Sequence, residues 1–167
     1  PEHDQMWIAV RGHGTRRNGE LVRTPPRRAL PSMRVGVLSR FLDEPTRSAV
    51  HERRLRFGTV AEGPRCAGVA YPQLIAGRYD AVLFWRTLPW DHAPGVLLLE
   101  EAGGSALRVD GSAYTPGDEQ VGLLAVGAAA GWREVRDSLL GCDPTIGGPV
   151  SYERDIARRT RSGSSGG

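Results

Sequence analysis

"LPWDHAPGVLLLEEAGG", residues 88–104, decides how this chain is read. A Trp-Asp pair leads into a compact apolar run, and two acids and a Gly-Gly pair close it. The pattern predicts a helix with Asp91 at its N-cap, where a carboxylate accepts backbone N–H groups and meets the positive end of the helix dipole. Gly103 and Gly104 predict the stop, because glycine adopts the left-handed backbone that ends helices. Leu97, Leu98 and Leu99 are expected in the core. Capping is a sufficient structural reason for Asp91. A carboxylate at a strand end beside a helix N-terminus is also a suitable hard-metal ligand, since Mg²⁺ takes oxygen donors and few carboxylates. A phosphate placed there would meet both the metal and the helix-end N–H groups.

Working outward, "RYDAVLFWR" (78–86) reads as the strand that feeds this helix. "CAGVAYPQLIAG" (66–77) reads as a helix weakened by Pro72, which removes a backbone hydrogen bond. "FGTVAE" (57–62) and "MRVGVLS" (33–39) read as strands, the second of the apolar kind buried in a mixed or parallel sheet. Between them, "PTRSAVHERRL" (45–55) reads as an exposed helix opened by a proline. "MWIAV" (6–10) is a short strand, with a turn at "RGHG", a hairpin signal at Asn18-Gly19 and a proline-rich connection over 24–32. Downstream lie a strand, a turn at Asp110-Gly111 and a short second strand, then a buried strand (121–128) and an amphipathic helix (129–141). From 142 to 167 the composition turns to Gly, Pro, Ser and charge, which predicts a mobile tail with at most a short helix near 152–159. Strands alternating with helices predict a layered α/β fold.

The 167 residues suffice for one domain with a real core, over 1–141. No apolar run is long enough to span a bilayer, and the start lacks a secretory pattern, so no membrane partner and a cytoplasmic location are expected. The first residue is not Met, which suggests a processed, trimmed or partial chain. Cys66 and Cys142 are far apart and show no zinc-ligand spacing, as expected in a reducing compartment. The net charge is +3 and every basic residue is Arg, many of them before residue 41. This fits a solvated surface or attraction of anionic ligands. Without aromatic interleaving or a known module, nucleic acid is not an expected partner.

The stretch Trp90-Asp91-His92-Ala93-Pro94-Gly95, with Glu101-Ala102-Gly103-Gly104, resembles the second signature of the inositol monophosphatase family. That signature runs Trp-Asp, a variable residue, Ala-Ala-Gly, then an apolar helix ending Glu-Ala-Gly-Gly; Pro94 replaces its second alanine. "AVRGHGTRRNGE" (9–20) is similar to the family's Ala-x-x-Gly-x-Gly-Ala-x-x-Asn-Gly hairpin, and "IAGRYDA" (75–81) to its Val-Ala-x-Gly-x-x-Asp-Ala junction. "VDG" (109–111) also fits, and the resemblance covers about residues 6–141.

The resemblance implies an αβαβα sandwich, of which this chain would be the αβα-type C-terminal half, a mixed sheet flanked by helices. It implies a Mg²⁺-dependent phosphomonoesterase acting on a small phosphorylated substrate, with a homodimer surface. Asp91 would be a metal ligand, and Trp90 would pack beneath the site. The family's Gly-Ser/Thr-Ala-Ala motif reads Arg65-Cys66-Ala67-Gly68 here, so these four are substrate-side candidates, Arg65 through its guanidinium and Cys66 in the hydroxyl position. His92 is a further substrate-side candidate; His3, His13 and His51 are expected on the surface. Gly95, Glu101, Gly103 and Gly104 are motif residues of structural kind.

Two departures shape the expected function. The family's upstream metal-binding motifs, a Gly-Glu segment and Asp-Pro-x-Asp-Gly-Thr, are absent from this sequence. The chain is therefore expected to be the inactive C-terminal part of a longer enzyme, with an apolar face exposed where the other half packs. Phe84 stands seven residues before Asp91, where the resemblance implies an inositol-contacting glutamate. A different ester, of a sugar, polyol or similar alcohol, is expected. The alternative is a non-catalytic module that binds a phosphorylated ligand or a protein.

Overall fold

Among the described residues, 4–118, 120–141 and 146, the computed structural model places eight strands and four α-helices. The expected tail, with Cys142 and the helix near 152–159, lies outside the described residues; Ile146 alone among 142–167 is described, and it is buried.

Strands β1 (Trp7–Val10), β2 (Gly14–Arg17) and β3 (Glu20–Val22) form an antiparallel ribbon. Asn18 and Gly19 take φ of 51° and 88°, the left-handed pair that a tight β2–β3 turn needs. A second sheet runs in the order β5-β4-β6-β8-β7, with β4 (Arg34–Val37), β5 (Thr59–Glu62), β6 (Ala81–Phe84), β7 (Ser105–Arg108) and β8 (Leu123–Val126). β5, β4 and β6 are parallel; β8 and β7 run antiparallel beyond them. The helices are α1 (Glu44–Arg53), α2 (Ala67–Ile75), α3 (Pro89–Glu101) and α4 (Trp132–Leu140).

The period of two along each strand sorts the core into halves. Ala81 and Leu83 of β6 join residues of α1 and α4, whereas Val82 and Phe84 join residues of α2 and α3. The mixed sheet is thus flanked by helices, as expected, and the ribbon adds a further layer against α3. The outer face of the ribbon carries Met6, Ile8, Val10 and Leu21, each 47% exposed or more, which matches the expected open apolar face.

Topology creates a crevice. The chain leaves β4 through α1 to reach β5 on one side, then passes through α2 to β6 on the other. Parallel sheets bind ligands outside the carboxyl ends of strands at such a reversal. The N-termini of α2 and α3 both open at this edge, following β5 and β6.

Two local expectations change, and two prolines are accommodated within expected helices. Leu97 and Leu98 are half-buried and only Leu99 is fully enclosed, because α3 is covered by sheet on one side and ribbon on the other. Pro72 and Pro94 sit inside helices that continue through them. Each is the sixth residue of its helix, and the residues four before them, Gly68 and Trp90, are exposed, so the freed carbonyls meet water. The second strand after β7 reduces to one bridge, Leu107 with Ala113.

Candidate functional site

α3 starts earlier than its sequence suggests. Its N-cap is Leu88, not Asp91, at φ −77° and ψ 133°. Proline at Pro89 is the cause: it holds the preceding residue extended and is itself pre-set for the first helical position. Asp91 therefore lies in the first turn, still at the positive end of the dipole, and is not a side-chain cap. It is exposed, and its carboxylate makes no hydrogen bond or ion pair among the described residues. Its oxygens are open to solvent.

The residues on either side of Asp91 exchange their expected places. Trp90 does not pack beneath a site; 73% of it is exposed, because the first turn of α3 points it away from the sheet. His92, a substrate-side candidate by sequence, is turned inward. It is 4% exposed, one step around the helix, with Nδ1 3.0 Å from the Tyr71 hydroxyl. Its ring stands edge-on to Phe84 at 4.8 Å. Burial lowers the His92 pKa to about 4, partly offset by the charge of Asp91, so its imidazole is neutral at pH 7. Desolvation also raises the Tyr71 pKa.

The second helix end is built by Cys66, the N-cap of α2, whose extended backbone (φ −118°, ψ 122°) makes no side-chain cap. The Cys66 carbonyl accepts from Val69 and Ala70, at 3.1 and 3.0 Å. The N–H groups of Ala67 and Gly68 in the first turn have no acceptor within the helix. Cys66 and Arg65 are exposed, and Cys66 is a free thiol. The four residues of this motif therefore line one open helix end. α2 and α3 are pressed together below it: a Cβ on Gly95 would fall 2.0 Å from Tyr71 Cδ2. Tyr71, which sequence reading did not single out, thus sets both the helix spacing and the orientation of His92.

The far end of α3 is closed. Gly103 N–H donates to Glu100 O (3.0 Å) and Gly104 N–H to Leu99 O (2.9 Å), the paired bonds of a glycine-terminated helix. Gly103 has φ +100°, and a Cβ on Gly104 would fall 2.5 Å from Leu99 Cδ1. The Glu101 carboxylate accepts from the N–H groups of Gly12 and Gly14, both at 2.9 Å. These bonds hold its pKa below the ordinary value. The Gly-x-Gly turn and the Glu-Ala-Gly-Gly motif are therefore two halves of one joint. Asp80 of "IAGRYDA" is likewise structural, accepting from Arg28 and from the Arg34 N–H.

The sequence model described as the inositol monophosphatase family matches residues 1–140. This chain belongs to that family. It is 32% identical to the Nus factor SuhB of Pseudomonas aeruginosa over 117 residues, 67% of this chain and 43% of that protein. It is 28% identical to the inositol-1-monophosphatase of Bacillus subtilis over 118 residues, 68% of this chain and 43% of that one. Inositol monophosphatase II of Staphylococcus aureus shares the fold with a TM-score of 0.72 at 18% identity, covering 99% of this chain and 58% of that one. The chain spans less than half the length of these two curated relatives.

The family resemblance implies magnesium, and the donors here do not complete a site for it. Among the described residues no three His, Cys, Asp or Glu side chains gather to hold a metal ion. Asp91 is one well-placed oxygen donor at the mouth of the crevice. A catalytic Mg²⁺ centre needs more than that from its surroundings. Among the described residues, no helix is long and apolar enough to cross a membrane.

Proposed function

We propose that this chain is the substrate-side half of a Mg²⁺-dependent phosphomonoesterase for a small phosphate ester of a sugar, polyol or similar alcohol. In this reading it is inactive until carboxylates from outside residues 1–167 join Asp91 around the metal. The observation that carries it is the pairing of two open helix N-termini, of α2 and α3, with a free aspartate at the carboxyl ends of parallel strands. The N–H groups of Ala67 and Gly68 would bind phosphoryl oxygens, and Arg65 would offset their charge. Magnesium, where a complete site holds it, supplies Lewis acidity to the phosphoryl group. Among the described residues no base is paired with Cys66, so in this reading it serves as a contact and not as a nucleophile. Phe84 is buried against Tyr71 and His92, which supports an alcohol other than inositol. The protein would work in the cytoplasm on small molecules.

One observation favours a second reading. The lone carboxylate also suits a non-catalytic module that binds a phosphorylated ligand. Phosphate release from a panel of small phosphate esters separates the two. It is measured with Mg²⁺ for the chain alone and for the chain extended on its N-terminal side to the length of its relatives. The phosphatase reading expects release by the extended chain alone, abolished by Asp91→Asn. Inactivity of both forms with retained ester binding selects the module.

A further inference from the structure

Arg108 ends β7 and is 1% exposed, the largest fully buried side chain among the described residues. Strand pairing sets it in line with Leu123 of β8 and Phe84 of β6, so the period of two places it on the face that α2 and α3 cover. From there its guanidinium reaches two segments at once. Nη1 donates to the Thr87 hydroxyl at 2.8 Å, while Nε, at 3.4 Å, and Nη2 donate to the Asp118 carboxylate. The guanidinium carbon stands 4.9 Å over the centre of the Tyr114 ring.

Tyr114 and Asp118 belong to the loop between β7 and β8. Asp118 organises that loop, accepting also from the N–H groups of Thr115 (3.2 Å) and Gln120 (3.3 Å). The loop ends where the Gly122 N–H donates to Trp85 O at 2.9 Å. Thr87 stands one residue before Leu88, the N-cap of α3, in the segment that leads to Asp91. Leu88 makes no side-chain cap, so the first turn of α3 is not secured by a cap of its own. Among the described residues, Thr87 is the only one of residues 86–91 whose side chain makes a hydrogen bond. The start of α3 thus has one hydrogen-bonded side-chain tether, and Arg108 holds it.

Stability alone gives little reason for this arrangement. A guanidinium taken out of water, even when paired, stabilises a fold no better than a well-packed apolar side chain of similar volume. An apolar residue cannot bond the loop and the β6–α3 segment at once, which the fixed planar fork of an arginine does.

We infer that Arg108 is a positioning residue: through Thr87 it holds the uncapped first turn of α3, and with it the Asp91 carboxylate, against the β7–β8 loop. Its consequence for catalysis rests on the phosphatase reading above, in which Asp91 meets the metal and small displacements of a reacting group are costly.

Arg108→Met would leave the Asp118 carboxylate without its charge partner and endanger the fold, so the test cuts the other bond. Thr87→Val keeps the branched shape and removes the acceptor; Thr87→Ser keeps the acceptor. The backbone amides of Asp91 and His92 both donate to Leu88 O, at 3.0 and 3.1 Å. Their hydrogen exchange is followed by NMR in the 167-residue chain, with the amides of α4 as reference. The expected result is exchange about tenfold faster at Asp91 and His92 in Thr87→Val, no change in α4, and wild-type exchange in Thr87→Ser. Unchanged exchange at Asp91 and His92 overturns the inference. Equal acceleration in α4 also overturns it, since it marks a bond that serves the whole fold. In the chain extended to the length of its relatives, Thr87→Val should raise the Mg²⁺ concentration for half-maximal phosphate release about tenfold, and Thr87→Ser should restore it. An unchanged Mg²⁺ response overturns the positioning role. An unsubstituted extended chain that releases no phosphate overturns the phosphatase reading, while amide exchange still decides the tether.

Discussion

The two ends of α3 are equally distinctive in sequence and opposite in physical state. At the Glu101 end every feature has a partner. The carboxylate is bonded to two amides, Gly103 supplies a left-handed residue, and Gly104 allows Leu99 and the β8 backbone to close in. At the Asp91 end the carboxylate has no bonded partner among the described residues, Trp90 is in solvent, and Leu88 makes no side-chain cap. A fold gains nothing from leaving a helix start open, since capping there contributes about 1 kcal/mol. The satisfied end builds the joint between ribbon and helix. The unsatisfied end is where the proposed binding site lies.

The largest effect should come from the seam that carries the open end. Gly95→Ala drives a methyl into the Tyr71 ring and must separate α2 from α3. A loss of about 3 kcal/mol in urea unfolding is expected; a loss under about 0.5 kcal/mol would mean the helices are not held in contact. His92 sharpens the contrast with its neighbour Asp91. Its folded pKa of about 4 lies below the ordinary 6.5, so between those values the unfolded chain binds the extra proton. The stability it contributes is complete above pH 6.5 and is lost as pH falls towards 4, by about 3 kcal/mol in all. His92→Gln should flatten that slope.

Glu101→Gln probes the closed end. The Glu101 pKa is held below 4.5, so its contribution is present above that pH and disappears as pH falls through the folded value. The variant should melt below wild type at pH 7, and the gap should close in acid. An unchanging gap would mean that the charge on the Gly12 and Gly14 amides is irrelevant. The smallest effect on stability is expected at the other open helix. Ala67→Pro places proline at a first helical position after an already extended Cys66. Stability should move by less than about 0.5 kcal/mol, while phosphate-ester affinity falls through loss of one N–H.

Much of this was legible in the sequence, and the misses have physical causes. The order of elements, the Asn18-Gly19 turn and the glycine stop follow from period and turn chemistry, which act locally. Family membership was legible because Trp90-Asp91 and Glu101-Ala102-Gly103-Gly104 keep fixed spacing. The start of α3 was misplaced because Asp91 is a good cap by type, whereas Pro89 forces an earlier start. The burial of His92 and the exposure of Trp90 were not legible because a one-residue step around a helix turns a side chain by about 100°. The bond from Glu101 to Gly12 and Gly14 joins residues far apart in sequence, and no local pattern reports it.

The most direct test sets the two ends of α3 against each other in the chain extended to the length of its relatives. Unfolding free energy and Mg²⁺-dependent phosphate release are measured for Asp91→Asn and Gly103→Ala. The account predicts that Asp91→Asn keeps stability within about 0.5 kcal/mol and loses phosphate release. Gly103→Ala should lose about 1–2 kcal/mol through its backbone strain and keep phosphate release while folded. An Asp91→Asn variant that is destabilised to a similar degree and still releases phosphate would make Asp91 a structural residue and contradict the account.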